Sequence, residues 1–313
     1  MDALPLGDSR YAHLCGHHQQ MTALFGAARW LKERAPALAA RAAFIATPAE
    51  EFVDFDRREE LRERGIVRWL SGKQELIERG VFRGFRWVVA THSARLSSGR
   101  AVNSVQRMNG FDVLRFSFKG KSAHAGASPH LGRNAQNAAS LFLQACAFLR
   151  EGFDEEKHIR IHPVMRLTPG QPINLVPEAA FAETYARGVD GVAIFETVGK
   201  LGAAAQGCGS ALGIEVGTEH IRGYAPFAVD ARLHGLLGAE ARDRGVEFVE
   251  EPFSAASTDM GDVSRLVPSI ILGLPGTNGL LHQVDFRTAD EEAAYVFSAE
   301  LLAGFIQRLL GAA

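Results

Sequence analysis

The sequence predicts an α/β protein with a largely parallel sheet flanked by helices, interrupted by an inserted α+β domain. Three observations carry this prediction. Helices and buried strands alternate through roughly the first hundred residues, the pattern then changes to half-exposed strands, and the first pattern returns after about residue 222. Alternation of helix and strand is typical of a parallel sheet, whose ligands collect at the carboxyl ends of its strands.

The first part of the chain is predicted to contain two helix-to-strand units. A helical stripe of apolar residues begins at Met21, and 42–46 has the composition of a short buried strand. The segment 59–80 is predicted to be helical, and 85–90 is predicted to be a second buried strand that ends at Thr91-His92.

The middle of the chain is predicted to form a separate domain at 103–222. Its elements are predicted to be a strand at 113–118, a helix at 134–150, strands at 159–168 and 179–187, a helix at 190–205 and a strand at 211–217. The order βαββαβ favours one four-stranded antiparallel sheet with two helices on a single face.

The last part of the chain returns to the α/β pattern, so 1–102 and 223–313 are predicted to form one discontinuous domain. A helix at 228–244, strands at 246–250 and 269–274 and a closing helix are expected. Thr288 and Glu291 have the spacing of a capping box, which predicts the start of that closing helix.

Composition excludes several classes of protein. Hydrophobic residues make up 47% of the chain, which is enough for buried cores, and 34 Lys and Arg nearly balance 36 Asp and Glu, so a nucleic acid is not an expected partner. Apolar stretches fall short of a membrane span and no leader pattern is present, which predicts a cytoplasmic location and no membrane partner. Three cysteines do not indicate a disulfide framework.

Metal-ligating residue types follow several of the predicted strands and turns. Cys15 and His17 lie in a turn before a helix, Glu50 and Glu51 follow one buried strand, and His92 and His282 lie at or after others. Taken singly, the cysteine could be packing and the two acids could be helix N-terminal charges. Together, one thiolate, three imidazoles and one carboxylate suffice for two metal ions, and they leave Glu50 as a general base.

The chain resembles the M20 family of metal-dependent amidohydrolases and peptidases, especially its branch of N-acyl-amino-acid and aminobenzoyl-glutamate amidohydrolases. The matching motifs occur in family order. They are Asp2-Ala-Leu-Pro5, His13-Leu-Cys15-Gly-His17, Thr47-Pro-Ala-Glu-Glu51, Gly72-Lys73 with Gly80-Val-Phe82, Gly120-Lys-Ser-Ala-His124-Ala, Pro129-His-Leu-Gly132-Arg-Asn-Ala135, Asn174-Leu-Val-Pro177, Ser257-Thr-Asp-Met-Gly-Asp-Val-Ser264 and Leu281-His282.

The resemblance implies that 1–102 and 223–313 form the catalytic domain and that 103–222 is a lid and dimerisation domain. It implies that Cys15 bridges two metal ions, which Glu51 and His282 complete on one side and His17 and His92 on the other. Glu50 would be the general base. In the lid, the resemblance implies that His124 stabilises the oxyanion and that Asn174 and Arg187 hold the free carboxylate of the substrate. Asp259 is expected to have a structural role.

The expected function is hydrolysis of an amide or peptide bond in a small N-acyl amino acid, dipeptide or aminobenzoyl-glutamate-like molecule by a homodimer. Zinc or manganese is the expected metal, and nickel or cobalt also suits such ligands. Two alternatives are a catalytically weak relative that acts as a binding or dimerising module, and a cysteine hydrolase that uses Cys15.

Two departures from the family pattern stand out. His18 replaces the usual Asp or Asn after Cys-Gly-His, which leaves open which histidine is a ligand. Family members also carry several dozen residues before the Asp2-Ala-Leu-Pro5 motif, so either the start at Met1 is internal or the protein is a shortened variant. Without the strands that those residues build, an exposed sheet edge would lower stability or favour association.

Overall fold

The protein is described by a computed structural model at residues 4–5, 11–51 and 55–311. The chain divides into two compact units. The outer unit comprises Met1–Arg107, Phe227–Ser254 and Asp259–Ala313, and the inserted unit comprises Met108–Pro226 and Ala255–Thr258. The inserted unit was predicted at 103–222, so its two main limits lie a few residues from the predicted ones. Ala255–Thr258, which was predicted to lie in the outer domain, belongs to the inserted unit. Asp2 and Ala3 of the first family motif lie outside the described residues.

The helices of the described residues are α1 (His17–Arg34), α2 (Pro36–Ala39), α3 (Phe55–Glu63), α4 (Gly72–Glu78), α5 (Ala135–Leu149), α6 (Gly191–Ala211), α7 (Ala231–Asp243), α8 (Met260–Ser264) and α9 (Ser298–Gly311). Short 3₁₀ turns occur at Pro129–Leu131, Arg150–Gly152 and Glu155–Lys157, and a π-helical stretch at Glu292–Phe297 leads into α9.

The strands are β1 (Leu4–Pro5), β2 (Tyr11–Ala12), β3 (Val88–Ser93), β4 (Ala101–Val105), β5 (Arg107–Met108), β6 (Gly110–Lys119), β7 (Arg160–Ile161), β8 (Val164–Leu167), β9 (Ala179–Gly188), β10 (Glu215–Arg222), β11 (Phe227–Ala228), β12 (Glu247–Glu251), β13 (Ser269–Leu274), β14 (Thr277–Asn278) and β15 (Arg287–Thr288).

The main sheet of the outer unit has four strands in the order β12-β4-β13-β3. The pairs β12–β4 and β13–β3 are parallel, whereas β13 and β4 are antiparallel. The sheet is therefore mixed, and the prediction of a largely parallel sheet is corrected. The strand β4, which supplies the antiparallel pairing, was not among the predicted elements.

The core of the outer unit lies between this sheet and three long helices. Every residue of β13 is buried, as expected for a central strand that is apolar apart from its first residue, Ser269. Its core residues Ile270, Leu272 and Leu274 belong to one buried cluster with side chains of α1, α7 and α9. The first turn of α1 is joined to the carboxyl ends of β3 and β13 by hydrogen bonds of Gln19 to Ser93 and Pro275.

The inserted unit consists of one antiparallel sheet and two helices, α5 and α6. The strand order is β10-β6-β9-β7, and β8 also pairs with β9, so five strands occupy four positions. The predicted strand at 159–168 is interrupted between Ile161 and Val164. Phe116 and Phe118 on β6 pack against Phe142 on α5, with ring centroids 4.7 and 6.1 Å apart.

The predicted strand at 42–46 is wrong. Residues 43–47 form no regular secondary structure, and the described residues provide no strand beside them. This segment and β3 line a cavity of about 370 Å³. Among the described residues β3 is an edge strand of the four-stranded sheet. A strand is stabilised by hydrogen bonds to a neighbouring strand, and apolar composition cannot replace that pairing.

Two helix predictions also need correction. The helix predicted at 59–80 is two helices, α3 and α4, because Gly65 takes a left-handed conformation with φ +68° just after α3 ends. The predicted Thr288 capping box is not formed. Asp290 accepts the hydrogen bond from the Ala293 amide at 3.0 Å, while the hydroxyl of Thr288 contacts the hydroxyl of Tyr295 at 3.1 Å.

One segment of the described chain, Glu292–Gly311, is long and apolar enough to cross a membrane by length and composition. Half of it is buried in the outer unit. Its core residues Leu301, Leu302 and Phe305 belong to the same cluster as β13. These contacts are typical of a core helix.

Candidate metal centre

A left-handed glycine sets the directions of the first two candidate ligands. Gly16 has φ +72°, and it turns the chain between Cys15 and the first residue of α1, His17. A Cβ atom at Gly16 would lie 1.7 Å from the Oγ atom of Ser93, so a side chain cannot be accommodated there without displacing Ser93. Glycine is required at this position by both conformation and close packing.

Buried polar contacts tie the start of α1 to the ends of two strands. The Gln19 side chain donates to the Pro275 carbonyl after β13 at 2.5 Å and accepts from the Ser93 hydroxyl at the end of β3 at 2.5 Å. Gln20 donates to the Cys15 carbonyl at 3.3 Å. Because buried polar groups must be paired, these bonds fix Cys15 and His17 relative to the sheet.

The two adjacent acids are presented by a constrained turn. Ala49, directly before Glu50, has φ +54°, which is unusual for a residue other than glycine. The Gly72 amide at the start of α4 donates to the Ala49 carbonyl at 3.1 Å. A Cβ atom on Gly72 would lie 1.8 Å from the Pro48 carbonyl oxygen, so α4 packs tightly against this turn.

Two further histidines approach from the ends of other segments. His92 lies in β3, and its Nδ1 atom is 2.8 Å from the Ser93 carbonyl oxygen. A carbonyl only accepts, so neutral His92 carries its proton on Nδ1 and leaves the Nε2 lone pair available to a cation. His282 has φ +63°, and its amide donates to the Leu14 carbonyl at 2.8 Å, next to Cys15.

Ligand atoms from these four segments converge in the outer unit. The ligand atoms of Cys15, Glu51 and His282 lie within 4.8 Å of one another, and so do those of His17, Glu50 and Glu51. The Oε1 atom of Glu51 is 3.2 Å from Nε2 of His282 and 3.7 Å from Nε2 of His17.

The remaining contacts of this cluster involve His92 and Glu50. The Sγ atom of Cys15 is 3.4 Å from Nε2 of His92. Glu50 Oε2 is 3.4 Å from His17 Nε2. The predicted ligands therefore share one location, and the expected general base lies beside one of them.

The electrostatics of the cluster suit cations. Burial raises the pKa of the Cys15 thiol, and the charges of Glu51 and Glu50 raise it further, so the thiol keeps its proton until a cation replaces it. Burial also raises the pKa of Glu50, but a hydrogen bond from His17 and the positive charge of Lys73 outweigh that effect and lower the pKa to about 2. Glu50 is therefore ionised at neutral pH.

The donor set fits a divalent cation of intermediate softness. A buried cysteine, neutral imidazoles and carboxylates are the ligands that zinc takes in proteins, and manganese shares the carboxylate and imidazole ligands. Two ions would offset the negative charge that Glu50, Glu51 and an ionised Cys15 place in this half-buried cluster.

His18 is directed away from the cluster. Its Nε2 atom contacts the Thr288 hydroxyl at 3.0 Å, and its ring lies near those of His13 and Tyr295, with centroids 5.8 and 6.3 Å away. Burial lowers the pKa of His18, and the neighbouring histidines His13 and His17 lower it further. The structure therefore brings His17, and not His18, to the other candidate ligands.

The remaining predicted site residues lie in the inserted unit. The Nδ1 atom of His124 accepts from the amides of Gly126 and Ala127 at 3.2 and 3.0 Å, so neutral His124 carries its proton on Nε2. The Ala125 amide donates to the Asn174 carbonyl at 2.8 Å, which places Asn174 beside the His124 segment.

Arg187 lies on β9 of the same unit. Its guanidinium stacks over the rings of Tyr185 and Phe111, 5.1 and 5.8 Å from their centroids. Its Nε atom is buried and has no hydrogen-bond partner among the described residues. Burial lowers the pKa of Arg187, although Tyr185 partly opposes this.

A buried ion pair lies next to the turn that carries Glu50 and Glu51, which is called the acidic turn below. Its two members were not among the predicted site residues. Asp259 is fully buried, and its carboxylate accepts from the Lys73 ammonium at 2.5 Å, the Ser71 hydroxyl at 2.7 Å and the Lys73 amide at 3.2 Å. Asp259 does not cap α8 through its side chain, although it precedes that helix. No motif in the sequence indicated that these two residues, 186 positions apart, meet.

The mixed α/β fold and the converging metal-ligating residue types are those of a peptidase family. The chain belongs to the peptidase family M20/M25/M40, whose model matches residues 1–308. The resemblance seen in the sequence motifs is therefore confirmed.

Curated relatives are hydrolases of small amides and peptides. The chain is 24% identical over 283 residues to the N-acetyl-L-cysteine deacetylase of Bacillus subtilis, covering 86% of this chain and 63% of the relative. It is 25% identical over 308 residues to the Xaa-Arg dipeptidase of Mus musculus, covering 95% and 65%. It is 27% identical over 180 residues to a p-aminobenzoyl-glutamate hydrolase homolog of Haemophilus influenzae, covering 57% and 38%. The chain thus spans less than two thirds of each relative.

Solved structures share the fold. A putative aminohydrolase from methicillin-resistant Staphylococcus aureus has a TM-score of 0.77 at 18% identity, covering 99% of this chain and 80% of that one. The YXEP protein of Bacillus subtilis, described as a dinuclear metal-binding peptidase of the M20 family, has a TM-score of 0.71 at 18% identity, covering 99% and 77%.

Proposed function

We propose that this protein hydrolyses an amide or peptide bond in a small N-acyl amino acid, dipeptide or aminobenzoyl-glutamate-like substrate, with two divalent metal ions. The observation that carries the proposal is the convergence of Cys15, Glu51 and His282 within 4.8 Å, next to His17 and Glu50. The names of the relatives, which include a deacetylase, a dipeptidase and an aminobenzoyl-glutamate hydrolase homolog, support the substrate class.

Cys15 would bridge the two ions, with Glu51 and His282 on one and His17 and His92 on the other. The short distances from Cys15 to His92 and from Glu51 to His282 support this division. Zinc or manganese suits this mixture of thiolate, imidazole and carboxylate. A bound pair of ions supplies a water of lowered pKa and polarises the carbonyl of the substrate.

Glu50 would act as the general base. Its ionised carboxylate takes one proton from the attacking water, whose oxygen forms a bond to the carbonyl carbon of the substrate. Glu50 then returns that proton to the amide nitrogen as the carbon–nitrogen bond breaks, which yields a free amine and a carboxylic acid. The acid then releases its remaining proton to the amine or to solvent, which leaves a carboxylate.

The inserted unit would contribute contacts to the substrate. An Nε2–H group on His124 is suited to donate to a developing oxyanion, and Asn174 lies beside it. Arg187, stacked on two rings, presents a rigid cation suited to a carboxylate. Homodimerisation through this unit and a cytoplasmic location stay predictions from the sequence.

A substrate panel with defined metals tests the proposal. The purified protein is stripped with a chelator, reloaded with Zn²⁺ or Mn²⁺, and assayed with N-acyl amino acids including N-acetylcysteine, dipeptides and p-aminobenzoyl-glutamate. We expect about two ions per chain and hydrolysis of at least one substrate. Glu50→Gln should bind two ions and lose hydrolysis, whereas Cys15→Ala should lose ions and activity together.

Other outcomes would refute the proposal in distinct ways. Substrate binding without metal uptake or turnover would favour the binding-module alternative. Turnover that resists chelation and depends on Cys15 would favour a cysteine hydrolase. Full activity of Glu50→Gln would remove Glu50 from the mechanism.

A further inference from the structure

A lysine and an aspartate that are far apart in the sequence form a buried pair directly behind the acidic turn. The side chain of Lys73 is 14% exposed and that of Asp259 is fully buried. Two of the three donors to Asp259 come from the start of α4, and the third is the Ser71 hydroxyl. A carboxylate that accepts three hydrogen bonds on its two oxygens is held in one orientation, and it holds its donors likewise.

The same end of α4 holds the turn that carries Glu50. Gly72 donates to the Ala49 carbonyl at 3.1 Å and packs so closely on Pro48 that no side chain would fit. Lys73 and Glu50 also line one cavity. The ammonium of Lys73 is therefore held by Asp259 beside the cavity that Glu50 also lines.

A positive charge here requires compensation. An unpaired ammonium beside two cations would weaken their binding, since like charges repel strongly where water is scarce. Asp259 makes the pair neutral overall. Lys73 can then attract and orient the Glu50 carboxylate without reducing the negative charge that the ligand cluster offers to metal ions.

We propose that Lys73 is the positioning residue of the general base and that Asp259 balances its charge so that the metal ions are retained. Glu50 also lies near the metal ligands, because its Oε2 atom is 3.4 Å from Nε2 of the candidate ligand His17. Lys73 attracts the Glu50 carboxylate towards the position of the general base. Without this attraction, Glu50 could replace Glu51 as a metal ligand. This inference rests on the proposed function, because it assigns Glu50 the role of base.

Substitution of Lys73 and substitution of Asp259 should therefore affect different properties of the enzyme. Lys73→Met should keep two ions per chain and a KM within about threefold of wild type, while kcat falls about 10- to 100-fold, as for other groups that orient a catalytic residue from behind. Lys73→Arg should restore part of kcat. Asp259→Asn leaves an uncompensated ammonium, so metal affinity should fall about 10- to 100-fold. Lys32→Met, which removes an exposed lysine from α1, is the matched control.

A second readout is independent of catalysis. In the metal-free protein, urea denaturation of wild type, Glu50→Gln, Lys73→Gln and the double variant forms a double-mutant cycle. We expect the double variant to be less destabilised than the sum of the single changes, because the charge of Lys73 and that of Glu50 act on each other. Lys73→Gln also serves in the kinetic test if Lys73→Met does not fold.

The outcomes separate this inference from the proposed function. Wild-type kcat in Lys73→Met and Lys73→Gln, with Glu50→Gln inactive, would overturn the positioning role and leave the function standing. Additive changes in the double-mutant cycle would overturn the positioning role and show that the pair is purely structural. The same conclusion would follow if metal affinity, KM and kcat were impaired equally in every variant. Absence of hydrolysis by the wild-type protein would overturn the proposed function itself.

Discussion

Replacing Gly16 by alanine tests how the fold sets the direction of the first two candidate ligands. The added Cβ would sit 1.7 Å from Ser93 Oγ and 2.6 Å from Ser93 Cβ, in a residue with φ +72°. A left-handed conformation costs an alanine about 1–2 kcal/mol. Displacing the Ser93 hydroxyl also breaks its bond to Gln19, which adds about 1–3 kcal/mol because the group is buried. The expected loss is about 2–5 kcal/mol.

Urea denaturation of the metal-free protein measures this loss, and Gly65→Ala supplies the matched control. Gly65 has φ +68°, but a Cβ there would meet no atom within 4 Å, so only the conformational cost of about 1–2 kcal/mol applies. The difference between the two variants isolates the clash with Ser93. Metal affinity should fall in Gly16→Ala and stay unchanged in Gly65→Ala.

A double variant makes the test sharper. Gly16→Ala combined with Ser93→Gly removes both clashing atoms, so it should cost less than the sum of the two single changes. Equal midpoints for Gly16→Ala and Gly65→Ala, together with unchanged metal affinity, would refute the proposed role of this packing.

Three further predictions concern stability. Glu240 is buried and accepts from Arg244 and Arg308, which are partly exposed, so Glu240→Ala should lower the free energy of unfolding by about 1.5–3 kcal/mol. Asp243→Asn, on an exposed partner of Arg308, should change the urea midpoint little. Asp190 caps α6 through the Val192 and Ala193 amides, so Asp190→Ala should cost about 1 kcal/mol at neutral pH by thermal denaturation. A hydrogen bond from Lys157 and those from the capping amides lower the pKa of Asp190 in the folded state. The stability difference between wild type and Asp190→Ala is therefore fully present above the unfolded pKa and should shrink as pH falls through the folded pKa. A difference that does not change with pH would contradict the role of Asp190 as an ionised cap. Zn²⁺ at 100 times its Kd should stabilise the stripped protein by about 2.7 kcal/mol, and no shift in thermal midpoint would argue against a metal site.

The sequence predicted those elements whose stability depends on local pattern and burial. The run 269–274 is apolar after Ser269 and forms β13 over those residues, because a central strand is covered on both faces. The run 42–46 has a similar character but forms no strand, since among the described residues no neighbouring strand pairs with it. Apolar composition reports burial, whereas strand formation also depends on a partner that composition does not specify.

The ligand types of the candidate centre were predictable, but their support was not. A thiol in a turn before a predicted helix indicated Cys15, and a carboxylate and an imidazole at the ends of predicted strands indicated Glu51 and His92. The contact between Lys73 and Asp259 joins residues 186 positions apart, and neither residue type nor spacing indicates that they meet. The π-helical entry to α9, with Asp290 as its cap, likewise follows from packing and not from the Thr288 motif.

Backbone strain is concentrated at the candidate centre. Three described residues other than glycine have positive φ, and two of them, Ala49 and His282, hold or precede candidate ligands. Such conformations cost of order 1–3 kcal/mol each and persist only where the surroundings impose them. Here the surroundings are identifiable, since the Gly72 amide holds the Ala49 carbonyl and the Leu14 carbonyl holds the His282 amide. The backbone conformations of Ala49 and His282 therefore lower the stability of the outer unit, and in return they direct candidate ligands to one location. This is expected of a site that is formed before its cations bind.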